Sequence, residues 1–218
     1  MIEELLPAEV SCAETVTDPP EVDLFPEEEE IIARAVGKRR REFSTARWCA
    51  RQALDRIGVA PVPLLPGERG APQWPAGVVG SITHCAGYRA AVVAHQEKVQ
   101  SLGIDAEPHE ALPDGVLDAV SLPTERTHLT ELSTADPTRH WDRILFSCKE
   151  TVYKTWYPIT REWLGFEDAR LELRPDGTFT AGLIKTGADQ AGRPLTAFTG
   201  RWLVANDLIL TAIAFPAS

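Results

Sequence analysis

The order of the predicted elements constrains the fold of this chain more than any other feature: a helical segment followed by strand-like runs occurs twice. Amphipathic spacing indicates the helices, and short apolar runs bounded by Gly, Pro or polar residues indicate the strands. The predicted elements are a helix over residues 27–57, strands over 78–83, 88–94 and 99–106, helices over 122–132 and 138–157, and strands over 169–173, 178–183, 195–204 and 208–215. This order predicts an α+β fold of two similar α/β halves in a pseudo-two-fold arrangement, each a helix packed on a small, mostly antiparallel sheet.

The two halves are expected to meet near residue 107. The N-terminal half, residues 1–107, would hold an acidic leader (residues 1–37), a cationic helix and a three-stranded sheet. The C-terminal half, residues 108–218, would hold helices and then strands. Pro158 is expected to end the second long helix, the one predicted over residues 138–157, because proline lacks a backbone N–H and crowds the preceding turn.

The net charge of −10 is confined to one end of the chain. The acidic leader contains eleven acidic residues and one basic residue, so the remaining residues are neutral as a group. The segment that follows it, residues 38–56, has seven basic and two acidic side chains. This balance excludes nucleic acid or a membrane as the main partner, since such partners require a surplus of Lys and Arg. It allows a small anion in a local basic pocket.

No apolar run approaches the roughly 20 residues that a membrane-spanning helix needs. The run over residues 208–214 is among the longest. The N-terminus is acidic, unlike that of a secretory signal peptide. We therefore expect a cytoplasmic monomer.

Two carboxylates lie at the end of the third predicted strand, in the segment Leu-Gly-Ile-Asp-Ala-Glu. Because strand side chains alternate, Asp105 and Glu107 project from the same side, about 7 Å apart at their Cα atoms. Such a pair suits Mg²⁺ or Mn²⁺, which prefer hard oxygen ligands. The alternative is an exposed acidic strand end without a metal.

A third carboxylate occurs in the helical segment Phe-Ser-Cys-Lys-Glu-Thr-Val-Tyr-Lys. Glu150 and Lys154 are four residues apart, a spacing that often indicates only an ion pair on the helix surface. Together with Asp105 and Glu107, however, they would supply the carboxylates and the cation of a metal-bound phosphate site. The isolated ion pair remains the alternative.

Three further segments contain groups that can bind phosphate. Thr83 and His84 combine a hydroxyl with an imidazole at the end of a strand. Arg69 lies in a loop rich in Gly and Pro, and Arg39 and Arg47 lie on the cationic helix. Each segment alone also has a structural reading: a solvated histidine, an ordinary loop and a solubilising helix face.

Taken together and in this order, the segments resemble the signatures of the 4'-phosphopantetheinyl transferase family. The matching segments are Gly-Glu-Arg-Gly-Ala-Pro-Gln-Trp-Pro, Gly-Ser-Ile-Thr-His-Cys, Leu-Gly-Ile-Asp-Ala-Glu and Phe-Ser-Cys-Lys-Glu-Thr-Val-Tyr-Lys, over about residues 26–166. The helix Arg-Arg-Arg-Glu-Phe-Ser-Thr-Ala-Arg-Trp-Cys-Ala-Arg is most similar to the enterobactin synthetase component D branch.

The resemblance implies an enzyme that moves the phosphopantetheine arm of coenzyme A to a serine of an apo carrier protein. The carriers would be domains of peptide, polyketide or fatty-acid synthases, such as those of siderophore or antibiotic biosynthesis. It implies Mg²⁺, with Mn²⁺ as a substitute, as the metal. The ligands of this metal would be Asp105, Glu107 and Glu150.

The same resemblance assigns the remaining residues. Lys154 would contact the pyrophosphate, with Lys149 nearby, and Glu150, Lys154 and Asp105 would be the catalytic set. The coenzyme A phosphates would be bound by Arg39, Arg47, Thr83 and His84, with Arg69 assisting. Relatives of the surfactin type have a lysine where this chain has Ala71, and Arg69 is the expected substitute.

Two other functions use the same residues. One is a Mg²⁺-dependent phosphohydrolase of coenzyme A or a nucleotide. The other is a non-catalytic adaptor in which the acidic leader is the working part.

Overall fold

The computed structural model describes residues 1–189 and 191–217. Its helices are α1 (Pro26–Ile32), α2 (Gly37–Arg56), α3 (Val116–Val120), α4 (Pro123–Ala135) and α5 (Trp141–Thr160). Its strands are β1 (Ser11–Thr15), β2 (Val78–Cys85), β3 (Tyr88–His95), β4 (Val99–Pro108), β5 (Ala169–Leu173), β6 (Thr178–Ala188), β7 (Pro194–Ala205) and β8 (Leu208–Pro216). The fold is thus α+β, as predicted.

The strands form two antiparallel sheets, one of order β1-β3-β2 and one of order β4-β8-β7-β6-β5. Helix α2 packs on β1 and β3, and α5 packs on β4 and β8. The expectation of two α/β halves, each with a helix on an antiparallel sheet, is therefore confirmed. Among the described residues, no helix is both long enough and apolar enough to cross a membrane.

The predicted assignment of residues 99–106 to the first sheet is wrong. Strand β4 pairs with β8 and so begins the five-stranded sheet. The first sheet takes its third strand from the acidic leader, where β1 pairs with β3. Alternating polarity identifies a strand but does not specify its partner. The boundary near residue 107 stays a prediction.

The single helix predicted over residues 27–57 is two helices, α1 and α2. The buried Glu28 carboxylate of α1 accepts hydrogen bonds from the Phe25 and Leu64 amides and from the Arg51 guanidinium of α2. In one continuous helix Glu28 and Arg51 would be roughly 35 Å apart. The chain therefore turns between Ile32 and Gly37 so that these charges meet at 3.1 Å.

Pro158 does not end the second long helix, because α5 continues to Thr160. Proline in the last turn removes one backbone N–H, which would have bonded to the carbonyl of Lys154, and the rest of the helix is unaffected. The helix ends instead at Arg161, whose φ of 60° is left-handed.

Three groups of buried apolar residues hold the elements together. One apolar face of α2, which includes Ala50, Ala53 and Leu54, is buried against the first sheet. Another group fills the space between α4, α5 and the second sheet, and a third lies between β3, β4 and β8. The third group joins the two sheets. Strand β2 of the first sheet lies next to strand β4 of the second.

Helix α5 approaches β4 most closely at Gly103. A methyl group at this position would overlap the Thr155 hydroxyl and the Thr151 carbonyl oxygen. Glycine is therefore needed here for close packing and not for an unusual backbone angle. This close packing brings the carboxylate of Asp105, on β4, within hydrogen-bonding distance of Ser147 and Lys154 on α5.

Replacing Gly103 with alanine is expected to lower the free energy of unfolding by about 1–3 kcal/mol, because the added methyl group has no space. Gly182→Ala is the matched control, since its nearest neighbour, the Arg170 carbonyl oxygen, would lie 3.8 Å away. Chemical denaturation of both variants measures the difference. Equal stability of the two would contradict the close packing of α5 on β4.

Candidate active site

A cleft of about 610 Å³ lies between α2 and α5. Its walls also include β2 and the loop over residues 67–77. The predicted site residues that line it are Arg39, Arg47, Arg69, His84, Glu150 and Lys154. The structure thus brings together side chains from four separate segments of the sequence, as a binding site for one small ligand requires.

Asp105 is almost completely buried; like Glu107, it is not among the residues that line the cleft, but its ion partner Lys154 is. Its Oδ1 atom accepts hydrogen bonds from the Lys154 ammonium at 2.7 Å and from the Thr83 hydroxyl at 3.3 Å. Its Oδ2 atom accepts a hydrogen bond from the Ser147 hydroxyl at 2.8 Å. Strand β2 and helix α5 therefore hold the carboxylate between them.

Thr83 faces Asp105 and is not among the residues that line the cleft. Its hydroxyl accepts a hydrogen bond from the Ala106 amide at 3.0 Å and so links β2 to β4. In this arrangement the hydroxyl supports the carboxylate, whereas the sequence suggested that it binds phosphate.

Glu107 and Glu150 both respond to the charge of Asp105. Burial, and then repulsion from Asp105, raises the pKa of each glutamate above its usual value. Arg143 opposes this shift at Glu107, with which it forms an ion pair of 2.9 Å, and Lys154 opposes it at both. Three carboxylates therefore share one neighbourhood, which favours an added positive charge.

The three carboxylates are not arranged as the ligands of one metal ion. Within residues 1–189 and 191–217, no three His, Cys, Asp or Glu side chains converge in a geometry that would hold a metal ion. The cations that now balance the carboxylates are Lys154 and Arg143. Carboxylate oxygens are nevertheless the donors that Mg²⁺ prefers.

Two arginines of α2 face the cleft. Arg39 contacts the Nε2 atom of His84 at 3.4 Å, and Arg47 lies over the Phe43 ring and donates to the Leu64 carbonyl at 3.1 Å. Burial lowers the pKa of Arg47 to about 10, with Arg39 adding to this effect and Glu28 opposing it. Two cations that line the same cleft create a positive potential, which favours the binding of an anion.

The surroundings of His84 favour the neutral form of its imidazole. Burial lowers its pKa, and the nearby cations Arg39, Arg89 and Lys154 lower it further, against the opposing effect of Glu42. A neutral imidazole can accept the hydrogen bond from Arg39 through Nε2, with its other nitrogen as a donor. His84 thereby orients the Arg39 guanidinium at the cleft wall.

The other arginines of α2 are paired with the acidic leader. Arg51 bonds to Glu28, Arg40 bonds to Glu29 and Arg41 lies 3.8 Å from Asp18. The leader therefore neutralises the side of α2 that faces away from the cleft. The positive charge that remains for a ligand is concentrated at the cleft itself.

Arg69 reaches the cleft from a tight turn in which its own φ is 56°. Its guanidinium lies over the ring of Trp163, 5.4 Å from the ring centroid, and Trp163 packs against Tyr153. The predicted loop arginine therefore lies at the cleft but contacts an aromatic pair. Trp163 is half exposed at this point.

Sequence reasoning missed the aromatic residues of α5. Tyr153, Tyr157 and Arg161 line the cleft beside Glu150 and Lys154. Glu150, Tyr153, Lys154 and Tyr157 lie within two turns of α5 and are three or four residues apart except for the neighbours Tyr153 and Lys154, whereas Arg161 follows the last residue of the helix. Helical periodicity applied to the whole motif could have found the two tyrosines.

The structure does not bring Lys149 to the cleft. Its ammonium forms a buried ion pair of 2.9 Å with Glu125 and donates to the carbonyl oxygens of Phe166 and Ala169. Burial lowers its pKa, and Glu125 opposes that effect. Lys149 and Glu150 are adjacent in a helix, so their side chains point about 100° apart. The expected contact of Lys149 with coenzyme A is therefore not retained.

Cations in the wall of a cleft, with carboxylates beside them, suit the transfer of a phosphorylated group. Two family models match the chain, and their descriptions specify the class of transferase. The model described as the 4'-phosphopantetheinyl transferase N-terminal domain matches residues 27–94, and the model described as the 4'-phosphopantetheinyl transferase superfamily matches residues 101–204.

Curated relatives cover almost the whole chain. The 4'-phosphopantetheinyl transferase PptT of Mycobacterium tuberculosis is 51% identical over 98% of this chain and 97% of its own length. The 4'-phosphopantetheinyl transferase Npt of Nocardia iowensis is 52% identical over 99% of this chain and 100% of its own length. The chain therefore belongs to the 4'-phosphopantetheinyl transferase family and is an enzyme of that class.

The expected resemblance to this family is confirmed. Enterobactin synthase component D of Escherichia coli is 34% identical, over 56% of this chain and 57% of its own length. This similarity is weaker and shorter than that to PptT and Npt. The non-catalytic adaptor is not supported, because the similar full-length proteins are named transferases.

Proposed function

We propose that this enzyme transfers the 4'-phosphopantetheine arm of coenzyme A to a serine hydroxyl of an apo carrier protein. The supporting observation is the cleft in which Arg39, Arg47 and His84 face Lys154, whose ammonium is paired with the carboxylate of Asp105. Coenzyme A is an anion with phosphates at both ends of its nucleotide part. A local cluster of cations in a chain with a net charge of −10 is suited to such a ligand.

The reaction forms one bond and breaks one. The serine oxygen would bond to the phosphorus nearer the pantetheine, and the bond from that phosphorus to the bridging oxygen would break. Adenosine 3',5'-bisphosphate leaves with the bridging oxygen. Its charge rises as it leaves, so Lys154 would stabilise the pyrophosphate oxygens while Arg39 and Arg47 hold the nucleotide phosphates.

Magnesium is proposed as the metal, with Mn²⁺ as a substitute. The ligands would be Asp105, Glu107 and Glu150; burial, and then repulsion from Asp105, raises the pKa of both glutamates. Bound there, Mg²⁺ would reduce the negative charge that the attacking oxygen meets at the pyrophosphate. Both the metal dependence and the ligand set are proposals. Removal of the metal with a chelator tests them.

The serine proton needs an acceptor, and Glu150 is proposed for that role. It lines the cleft, and burial raises the pKa of its carboxyl group, which increases its basicity when ionised. The carrier would be a domain of a peptide, polyketide or fatty-acid synthase, and the enzyme would act as a cytoplasmic monomer.

Intact mass spectrometry tests the proposed reaction. Apo carrier proteins of the three classes are incubated with coenzyme A and Mg²⁺, and the transferred arm adds about 340 Da to a modified carrier. Release of adenosine bisphosphate without any carrier would instead support the phosphohydrolase. A panel in which no carrier gains mass, although coenzyme A binds, would contradict the proposed transfer.

Replacing Glu150 with glutamine is expected to lower kcat at saturating Mg²⁺ by about a hundredfold or more, because the carboxylate that takes the proton is lost. Glu172→Gln is the control, since Glu172 forms an exposed ion pair with Arg174. Initial rates of carrier modification measure both. Near-full activity of Glu150→Gln would exclude Glu150 as the base.

A further inference from the structure

Three buried hydroxyl groups lie in a row behind Asp105. The Ser147 hydroxyl contacts Asp105 Oδ2 at 2.8 Å and the Thr211 hydroxyl at 3.0 Å. The Thr211 hydroxyl contacts that of Thr151 at 2.6 Å. All three residues have no exposed surface. They lie on α5 and β8, away from the cleft, and the proposed chemistry does not use them.

The charge of Asp105 sets the direction of the hydrogen bonds in this row, beginning with the one that reaches its Oδ2 atom. The Asp105 carboxylate, which is paired with Lys154, can only accept, so the hydrogen of Ser147 must point to Oδ2. Ser147 has no second hydrogen and therefore accepts from Thr211. Thr211 in turn accepts from Thr151. The row is thus a directed chain that runs from Thr151 through Thr211 and Ser147 to Asp105.

The chain ties Asp105 to two elements at once. Thr211 is the residue of β8 that pairs with Asp105 of β4, and its single hydroxyl hydrogen is shared between the Ser147 hydroxyl at 3.0 Å and the Ser147 carbonyl oxygen at 3.2 Å. Ser147 and Thr151 are one helical turn apart on α5. Hydrogen bonds in series polarise one another, so the bond that reaches Asp105 is stronger than an isolated one.

We propose that Ser147 and Thr211 are positioning residues that fix Oδ2 of Asp105, so that Oδ1 stays directed at Lys154 and the cleft. Without them only Thr83 and Lys154, which both contact Oδ1, would restrain the rotation of the carboxylate. Groups that orient a metal ligand from behind typically change metal affinity by about 10–100-fold. The inference rests on the proposed function, because its measurable consequence is the affinity for Mg²⁺.

The experiment is calorimetric titration of Mg²⁺ into the enzyme saturated with coenzyme A, in the absence of carrier. Thr211→Val keeps the shape of the side chain but removes the donor, and it is expected to weaken Mg²⁺ binding about tenfold. Ser147→Ala is expected to do the same. Thr211→Ser restores the hydroxyl and should return the affinity to within about twofold of wild type.

Thr155→Val is the matched control. Thr155 is equally buried on the same helix, and its hydroxyl bonds to the Thr151 carbonyl without reaching Asp105. It should leave Mg²⁺ affinity within about twofold of wild type, even if thermal stability falls. A purely structural role would lower the melting temperature of every variant without separating them by Mg²⁺ affinity.

A double variant tests the order of the chain. Because Thr211 acts on Asp105 through Ser147, adding Thr211→Val to Ser147→Ala should not weaken Mg²⁺ binding further. Additive losses, or wild-type affinity in both single variants, would overturn the inference. If the wild-type enzyme neither binds Mg²⁺ with coenzyme A nor modifies a carrier, the proposed function fails instead.

Discussion

Replacing Asp105 with asparagine is expected to lower kcat/KM for carrier modification by at least about a hundredfold. The substitution keeps the size of the side chain but removes its charge. It would remove the ion partner of Lys154 and, in the proposed function, a ligand of the metal. Asp105 also adds to the effect of burial in raising the pKa of both Glu107 and Glu150, so its loss changes the whole cluster.

Initial rates from intact mass spectrometry measure this effect, and circular dichroism checks that the variant is folded. Asp18→Asn is the matched control: Asp18 also accepts a threonine hydroxyl, that of Thr45, and also faces cations, Arg41 and Arg89, but outside the cleft. A folded Asp105→Asn enzyme with more than about a tenth of wild-type kcat/KM would remove Asp105 from the catalytic set.

Replacing Lys149 with methionine is expected to lower the free energy of unfolding by about 3–5 kcal/mol. Methionine matches the length of lysine but has no charge, so Glu125 would be left as a buried, unpaired anion. The carbonyl oxygens of Phe166 and Ala169 would lose their donor as well. The melting temperature should fall by roughly 6–20 °C.

Lys38→Met is the control for this prediction, because Lys38 is 78% exposed and its ion pair with Glu42, at 4.0 Å, should contribute less than about 1 kcal/mol. Lys149 either forms only a buried ion pair with Glu125 or contacts coenzyme A directly. The KM for coenzyme A distinguishes these two roles. The buried ion pair predicts an unchanged KM in enzyme assayed well below its melting temperature. A stable Lys149→Met protein with a strongly raised KM would instead support direct contact with coenzyme A.

Much of the fold was predictable because helices and strands are encoded by short-range patterns. The apolar stripe of α2 and the alternating strands were identified at nearly their observed positions. The errors concern contacts between distant segments: β1 in the acidic leader, the pairing of β4 with β8, and the turn that lets Glu28 meet Arg51. None of these follows from periodicity.

The candidate site divides in the same way. Of the ten predicted site residues, six line the cleft: Arg39, Arg47, Arg69, His84, Glu150 and Lys154. The motifs did not show that Thr83 supports Asp105, since nothing in the motif indicates which way that hydroxyl faces. The aromatic residues beside Lys154 were detectable from helical spacing but were not considered.

The sequence by itself determined the class of the protein, the identity of its charged groups and the order in which they occur. These properties depend on residue types and on spacings within single segments. Only the tertiary structure decided which groups meet, such as Ser147 and Thr211, which are 64 residues apart. It also separated Lys149 from Glu150, although they are neighbours in sequence. The reason is physical: hydrogen bonds and ion pairs act over a few ångströms in space, and packing of α5 on β4 and β8 sets those distances.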